Sequence, residues 1–331
     1  MFAITCPGQG FIRASLMSPY AQYGRILSPI CAAVDESLQA SFSQQLNDNN
    51  EQFLRKTSNA QPAMLMATVA VAEILRSHYG LDFVSRATAI CGHSLGEYTA
   101  MVLNGTLDVG TAARLVRRRG ELMENLRLQD YTMVAALIRP EFLDLVVETC
   151  TAARVLANVN SHKQVVLSGP ESTVSNVLVR LNAQRRVVVR TVKLPVEIPF
   201  HHEVLGQIET PLRELAAELV DGFAPAAARP APVPAPAVVC NLTGAVTLPT
   251  EVVNTVISAN SRPVQWVKTM DTLALLGVKT LVNFGPGQVL QGINQSFPFK
   301  NVSADLLNAA EMDQLAAVYE TAVVGISPGT K

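Results

Sequence analysis

The sequence predicts an α/β protein in two parts, a core built on a parallel sheet and a smaller subdomain inserted into it. Three observations carry that expectation. One is the stretch Gly92-His93-Ser94-Leu95-Gly96-Glu97-Tyr98, set between Ala87 to Cys91, which reads as a short buried strand, and Leu95 to Leu103, which reads as a helix. Gly-x-Ser-x-Gly between strand and helix forces a sharp turn in which the glycines remove side chains that would clash, and the serine hydroxyl is left exposed at the helix N-terminus. A second is residues 61–77, apolar around most of the helix circumference and so expected to be buried. The third is a change of pattern from Thr132 to Lys193: strand 132–138, helix 140–150, strands 154–159 and 164–168, helix 170–183 and strand 186–193 give the order βαββαβ. The expected fold is therefore an α/β-hydrolase-like core with a nucleophile elbow over residues 1–131 and 195–331, and a ferredoxin-like subdomain over residues 132–194.

The remaining core elements follow in order. Phe2 to Cys6 is a short strand ending at the turn Pro7-Gly8-Gln9-Gly10, and a second helix follows the elbow near residues 108–127. The core resumes at Pro195. Residues 224–237 are rich in Ala and Pro and read as an extended surface spacer. A strand near Val238 to Asn241, helices near 249–258 and 264–276, a strand at 279–283 and the turn Gly285-Pro286-Gly287 complete the core, with the last six residues frayed.

Composition excludes several classes. Of 331 residues, 49% are apolar, enough for a sizeable core. The 26 basic and 27 acidic residues nearly cancel, so no whole-chain charge favours nucleic acid or a membrane surface. The longest apolar run, Ala63 to Ala72, meets Glu73 and is too short to span a bilayer. Cys6, Cys31, Cys91, Cys150 and Cys240 are scattered, odd in number and without a Cys-x-x-Cys pair, which argues for reduced thiols, a reducing compartment and no structural zinc. Because the first strand begins at Phe2, no targeting segment is expected within these residues.

Ser94 is the leading nucleophile, and a nucleophilic serine needs a base. The chain holds five histidines. His78 lies at a helix end, His162 in a hairpin turn, and His93 beside the serine but on the other side of the elbow. His201 and His202 remain, in Ile198-Pro199-Phe200-His201-His202, where the chain leaves the subdomain and re-enters the core. Adjacent residues point in opposite directions, so at most one faces Ser94. His201 is preferred because Pro199 and Phe200 fix its approach; the alternative is a pair of surface histidines at a hinge.

An arginine stands where an apolar residue belongs. On the helix near 108–127, Ala112, Leu115, Val116, Leu122, Met123 and Leu126 mark one apolar face, and Arg119 falls in the middle of it. Arg114, Arg117 and Arg118 lie off that face. A guanidinium stays charged and is costly to bury alone, so Arg119 should meet either an internal carboxylate or the anion of a ligand.

Taken with Pro7-Gly8-Gln9-Gly10, Gln61-Pro62, Arg119-Gly120 with Met123, Asn158-Val159-Asn160-Ser161, Gln164-Val165-Val166, Pro199-Phe200-His201, Pro263-Val264-Gln265-Trp266 and Gly285-Pro286-Gly287, the elbow completes a series. In order and over essentially the whole chain, it resembles the malonyl-CoA:acyl carrier protein transacylases. The N-terminal region, which lacks the usual Ser-Gln after its first motif, and the stretch from Ile198 to Leu215 look closest to fungal mitochondrial members. The resemblance implies that Ser94 attacks malonyl-CoA with His201 as base, that a malonyl-serine ester forms, and that the phosphopantetheine thiol of acyl carrier protein takes the malonyl group. It implies an oxyanion hole from the N–H groups of Gln9 and Leu95, orientation of His201 by Gln265, and a carboxylate clamp at Arg119. Phe200 would leave little room for an α-methyl branch, Asn158 and Asn160 would line the pantetheine arm, and His93 joins the substrate-binding group. The implied partners are acyl carrier protein and a coenzyme A thioester, with no cofactor, no metal, no nucleic acid and no membrane span. The implied location is the mitochondrial matrix, with the cytoplasm as alternative.

Departures temper the transfer. The loop after Gly10 reads Phe11-Ile12-Arg13, and His202 is an extra histidine beside the base. An acidic carrier protein would need a local basic patch, for which Lys163, Arg185, Arg186, Arg190 and Lys193 stand ready, with plain solubility as the alternative. A serine hydrolase would share the elbow but have no use for Arg119. An acyltransferase subunit working inside a malonate decarboxylase complex, or one without activity, would keep the scaffold.

Overall fold

The computed structural model describes residues 1–10, 16–48, 51–126, 128–183, 186–221, 235–306 and 309–324. The Ala/Pro run up to residue 234, Arg185, Phe11-Ile12-Arg13 and the last six residues lie outside these described residues.

Among the described residues, one sheet has six strands in the order β10-β9-β1-β2-β7-β8. They are β1 (Phe2–Cys6), β2 (Ala89–Gly92), β7 (Ala237–Val239), β8 (Val246–Thr247), β9 (Thr280–Phe284) and β10 (Lys300–Ala304). All neighbours pair in parallel except β7 and β8. Every residue of β1 and β2 is buried, as a parallel sheet covered on both faces requires. The helix Thr57–Ser77 is buried without a break from Thr57 to Val71, and it lies against the helix Val109–Asn125. Their approach depends on Gly120, where a Cβ would sit 2.4 Å from the Ser58 Cα. That crossing brings Gln61 beside Arg119.

The second sheet holds β3 (Tyr131–Ile138), β4 (Leu156–Ser161), β5 (Gln164–Pro170) and β6 (Val188–Lys193), antiparallel in the order β4-β5-β3-β6. With the helices Leu143–Ala152 and Glu171–Asn182 in the two crossovers, this is the ferredoxin-like arrangement. Two main-chain hydrogen bonds sew its free edge to the core: Val159 N–H donates to the Val264 carbonyl and Val264 N–H to the Ala157 carbonyl, each at 2.9 Å.

Several boundaries move for local reasons. The strand expected at 154–159 starts at Leu156 because Arg154 turns through a left-handed φ of 57°. The strand expected to reach Asn241 ends at Val239, the helix expected at 264 starts at Trp266, and the helix expected at 140 opens with a 3-10 turn, Pro140–Phe142. The helices Gly24–Leu38, Glu209–Asp221 and Ala309–Val324 and strand β10 add to the predicted elements. β10, Lys-Asn-Val-Ser-Ala, has one large apolar side chain and is specified mainly by its pairing with β9. No described helix is long and apolar enough to cross a membrane.

Candidate active site

β2 ends at Gly92, and the chain turns through Ser94 at φ 54° into the helix Gly96–Asn104. A Cβ at Gly92 would fall 1.9 Å from the Gly96 carbonyl carbon, and one at Gly96 would fall 2.2 Å from the Cys6 carbonyl oxygen, so the turn is closed to any other residue at both places. A serine in the left-handed region is strained and needs support. Asn241 supplies it. Its Oδ1 accepts from Ser94 N–H at 2.7 Å, its Nδ2 donates to the Gly92 carbonyl at 2.6 Å, and its own N–H donates to Glu97 Oε1 at 2.7 Å. Glu97 is buried, and burial pushes its carboxyl up to about 8 against the lowering effects of the Asn241 N–H and Arg119.

His201 enters from the segment that returns to the core, itself at φ 60° and 4% exposed. Its Nε2 lies 2.8 Å from Ser94 Oγ. Its Nδ1 lies 3.0 Å from the carbonyl oxygen of Ala259 and 3.1 Å from that of Arg262. Carbonyls only accept, so Nδ1 carries the hydrogen and Nε2 presents its lone pair to the serine hydroxyl. Burial first, and then the Arg119 charge, hold the imidazole down to about 3. His202 turns away: its Nδ1 accepts from Val204 N–H, capping the turn Glu203–Ile208, and its ring meets Tyr131 edge-on.

Arg119 is 3% exposed. Its Nε donates to Asn260 Oδ1 at 2.6 Å, one terminal nitrogen to Gln61 Oε1 at 2.8 Å, and the other points toward Ser94 Oγ at 3.4 Å. The guanidinium also stands 5.8 Å from the centre of the Tyr98 ring. Among the described residues no carboxylate lies within salt-bridge distance of it. The alternative of an internal ion pair is therefore unfilled, and a permanent cation sits beside the nucleophile.

Residues 23–233 match the acyl transferase domain family, nearly two thirds of the chain. A malonyl CoA-acyl carrier protein transacylase of Bacillus subtilis strain 168 is 32% identical over 268 residues, covering 78% of each chain. The chain belongs to the malonyl-CoA–acyl carrier protein transacylase family. A relative of that name from Escherichia coli O157:H7 is 28% identical over 323 residues, 96% of this chain and 99% of its own. Among solved structures, an acyl carrier protein S-malonyltransferase from Vibrio cholerae superposes with a TM-score of 0.80 at 26% identity, over 95% of this chain and 99% of its own.

The transacylase site opens into a cleft of about 700 Å³ between the core and the small subdomain. Met64, Met133, Leu137, Val166, Val196 and Phe200 give it apolar walls. Asn158 and Asn160 also line it, and Asn160 Oδ1 accepts from His93 Nε2 at 2.9 Å while its Nδ2 donates to Gln164 Oε1 at 3.0 Å. His93 is further held by the Trp266 ring at 5.3 Å. The loop Pro7–Gly10 lies against the elbow; a Cβ on Gly8 would come 2.8 Å from the His93 carbonyl oxygen. Among the described residues, nothing accepts a hydrogen bond from the main-chain N–H of Gln9 or Leu95. The Gln9 side chain donates to Thr57 Oγ1 at 3.3 Å.

Gln265 requires a correction. It does not reach His201: its N–H donates to the Asn241 carbonyl and its carbonyl accepts from Thr269 N–H, because it forms the start of the helix Trp266–Leu275. The base is oriented instead by the main chain of Ala259 and Arg262. Asn241, Asn260 and the role of Glu97 were not singled out from sequence. Only Glu97 carried a signal, as a charged residue at the buried start of the elbow helix. Of the basic residues considered for a carrier protein, Lys163 is exposed and lines the cleft, Arg186 and Arg190 are exposed, and Lys193 pairs with Glu171 at 2.9 Å.

Proposed function

We propose that this chain transfers the malonyl group of malonyl-CoA to the phosphopantetheine thiol of an acyl carrier protein, supplying extender units for fatty acid synthesis. The observation that carries this reading is Arg119, a buried cation whose protein partners are neutral and whose second terminal nitrogen donates to the nucleophile's Oγ at 3.4 Å. Such a site penalises a neutral acyl group, which leaves the charge unpaired, and rewards one that brings a carboxylate.

In the first half-reaction Ser94 Oγ attacks the thioester carbonyl carbon while its proton passes to His201 Nε2. The N–H groups of Gln9 and Leu95, the second at a helix N-terminus, donate to the developing oxyanion. Collapse breaks the carbon–sulfur bond, the departing thiolate takes the proton from His201, and a malonyl ester remains on Ser94. In the second half the carrier thiol gives its proton to His201 and attacks the ester, and Ser94 leaves with that proton. A malonyl carboxylate on Arg119 also offsets the charge that depresses His201, so the correct substrate strengthens its own base. Phe200 narrows the space at the α-carbon, and Asn158 and Asn160 line the way for the pantetheine arm.

The names of the relatives support acyl carrier protein as partner, and exposed Lys163, Arg186 and Arg190 suit an acidic one. A mitochondrial matrix setting, with the cytoplasm as alternative, and a fungal mitochondrial subgroup belong to the proposal as well; their support is the N-terminal region and the Ile198 to Leu215 stretch. Imaging of the full-length protein carrying a C-terminal fluorescent tag separates the two locations.

Intact-mass spectrometry after brief incubation with malonyl-CoA or acetyl-CoA tests the activity. The wild type should gain a malonyl adduct well in excess of an acetyl adduct, Ser94→Ala should gain neither, and Arg119→Ala should lose about a hundredfold of the malonyl preference. Absence of an adduct, or fast hydrolysis without preference, would favour a serine hydrolase.

A further inference from the structure

One short turn, Ala259–Ser261, serves both halves of the site. The carbonyl of Ala259 holds the base, and the side chain of the next residue, Asn260, holds the cation. Asn260 is 2% exposed and its amide has one orientation: Nδ2 donates to the Ile257 carbonyl at 2.8 Å, so Oδ1 faces Arg119. The turn is itself anchored from outside, since Ser261 Oγ donates to Glu209 Oε1 at 2.5 Å and Arg213 reaches Ser258 Oγ at 2.8 Å.

A buried arginine is ordinarily paired with a carboxylate, because the desolvated charge is costly alone. Here the positions that such a partner would occupy are taken by two amides, Asn260 and Gln61. An aspartate at 260 would have the same size and place an acceptor oxygen on the same nitrogen. The difference between the two is charge.

We propose that Asn260 is a specificity-determining positioning residue, which fixes the Arg119 guanidinium by a strong hydrogen bond while leaving its charge uncompensated, so that the acyl group must supply the anion. The inference rests on the transacylase reading above. A neutral acceptor holds geometry without competing for the charge; a fixed internal carboxylate would compete with the malonyl carboxylate and relieve the penalty on acetyl.

The test compares wild type, Asn260→Asp and Asn260→Ala. Initial rates of Ser94 acylation by malonyl-CoA and by acetyl-CoA are read by intact mass and normalised to labelling by a neutral fluorophosphonate, which reports on the serine and histidine without a substrate charge. In Asn260→Asp the malonyl-to-acetyl ratio should fall by at least about tenfold. In Asn260→Ala the cation stays uncompensated but less well held, so the ratio should persist while the KM for malonyl-CoA rises severalfold, on the order of one lost hydrogen bond. A wild-type ratio in Asn260→Asp overturns the proposal. So does an equal loss of ratio in both variants, which would mean geometry and not charge, and so does an unchanged KM in Asn260→Ala, which decides the matter even if Asn260→Asp fails to fold. A wild type that labels with the fluorophosphonate but shows no malonyl preference removes the transacylase reading, and the proposal with it, before any variant is compared.

Discussion

At the scale of the residue, the site is built from two charge states that ordinary side chains do not keep: an arginine buried without an anion and a histidine that resists protonation. His201 is held down to about 3, first by burial and then by the Arg119 charge. Its folded value is lower than its ordinary 6.5, so lowering the pH does not disarm the base until well below that point. Labelling of Ser94 by a neutral fluorophosphonate should therefore run without an inflection near pH 6.5, its acid limb lying at about 4 or below. In Arg119→Ala the second of the depressing causes is removed, and the acid limb should move upward. An inflection at 6.5 in the wild type would contradict the burial of the base.

At the scale of the element, the elbow depends on Asn241 and Glu97 as much as on its glycines. Replacing Asn241 with Ala strands the Ser94 N–H and the Gly92 carbonyl, at a cost of about 1–3 kcal/mol, to be read from urea unfolding. Glu97 gives a separate signature. Its folded pKa, about 8, is above its ordinary 4.5, so the folded state binds an extra proton between those values. That contribution to stability is complete below 4.5 and is lost as pH rises through 8. Glu97→Gln keeps an acceptor for the Asn241 N–H and removes the proton. Its Tm should fall less than that of the wild type between about pH 5 and 9, which thermal unfolding at stepped pH will check.

At the scale of the whole molecule, the two sheets share a buried apolar cluster and are also linked by main-chain hydrogen bonds at Val264. Val264, an isolated bridge residue outside the strands, trades hydrogen bonds with Ala157 and Val159, and the next residues begin the helix that carries Trp266 under His93. Val264→Pro removes the N–H that donates to Ala157. The expected outcome is faster hydrogen exchange in β4 and a KM for malonyl-CoA raised by roughly tenfold, as the subdomain wall loses its fixed distance from Ser94.

Much of this was legible in the chain. Gly92, Ser94 and Gly96 announce their turn because the constraint is steric and acts over five residues. The buried helix Thr57–Ser77 and the βαββαβ subdomain are written in periodicity, and Arg119 betrays itself as a charge on an apolar face. The support of the site was not legible in the same way. Asn241 and Asn260 meet partners 147 and 141 residues away, and their residue type is equally at home in a turn. The resemblance pointed to Gln265 as the residue orienting the base, whereas the atoms that hold His201 are main-chain carbonyls, which every residue possesses and no sequence distinguishes. The sequence by itself determined the local turns, the layers that must be buried and the identity of the nucleophile, because those follow from sterics and hydrophobic spacing within one element. Only the tertiary structure decided which oxygen orients the base and whether the buried cation is already neutralised, because both depend on distances between atoms that the chain separates by 58 to 141 residues.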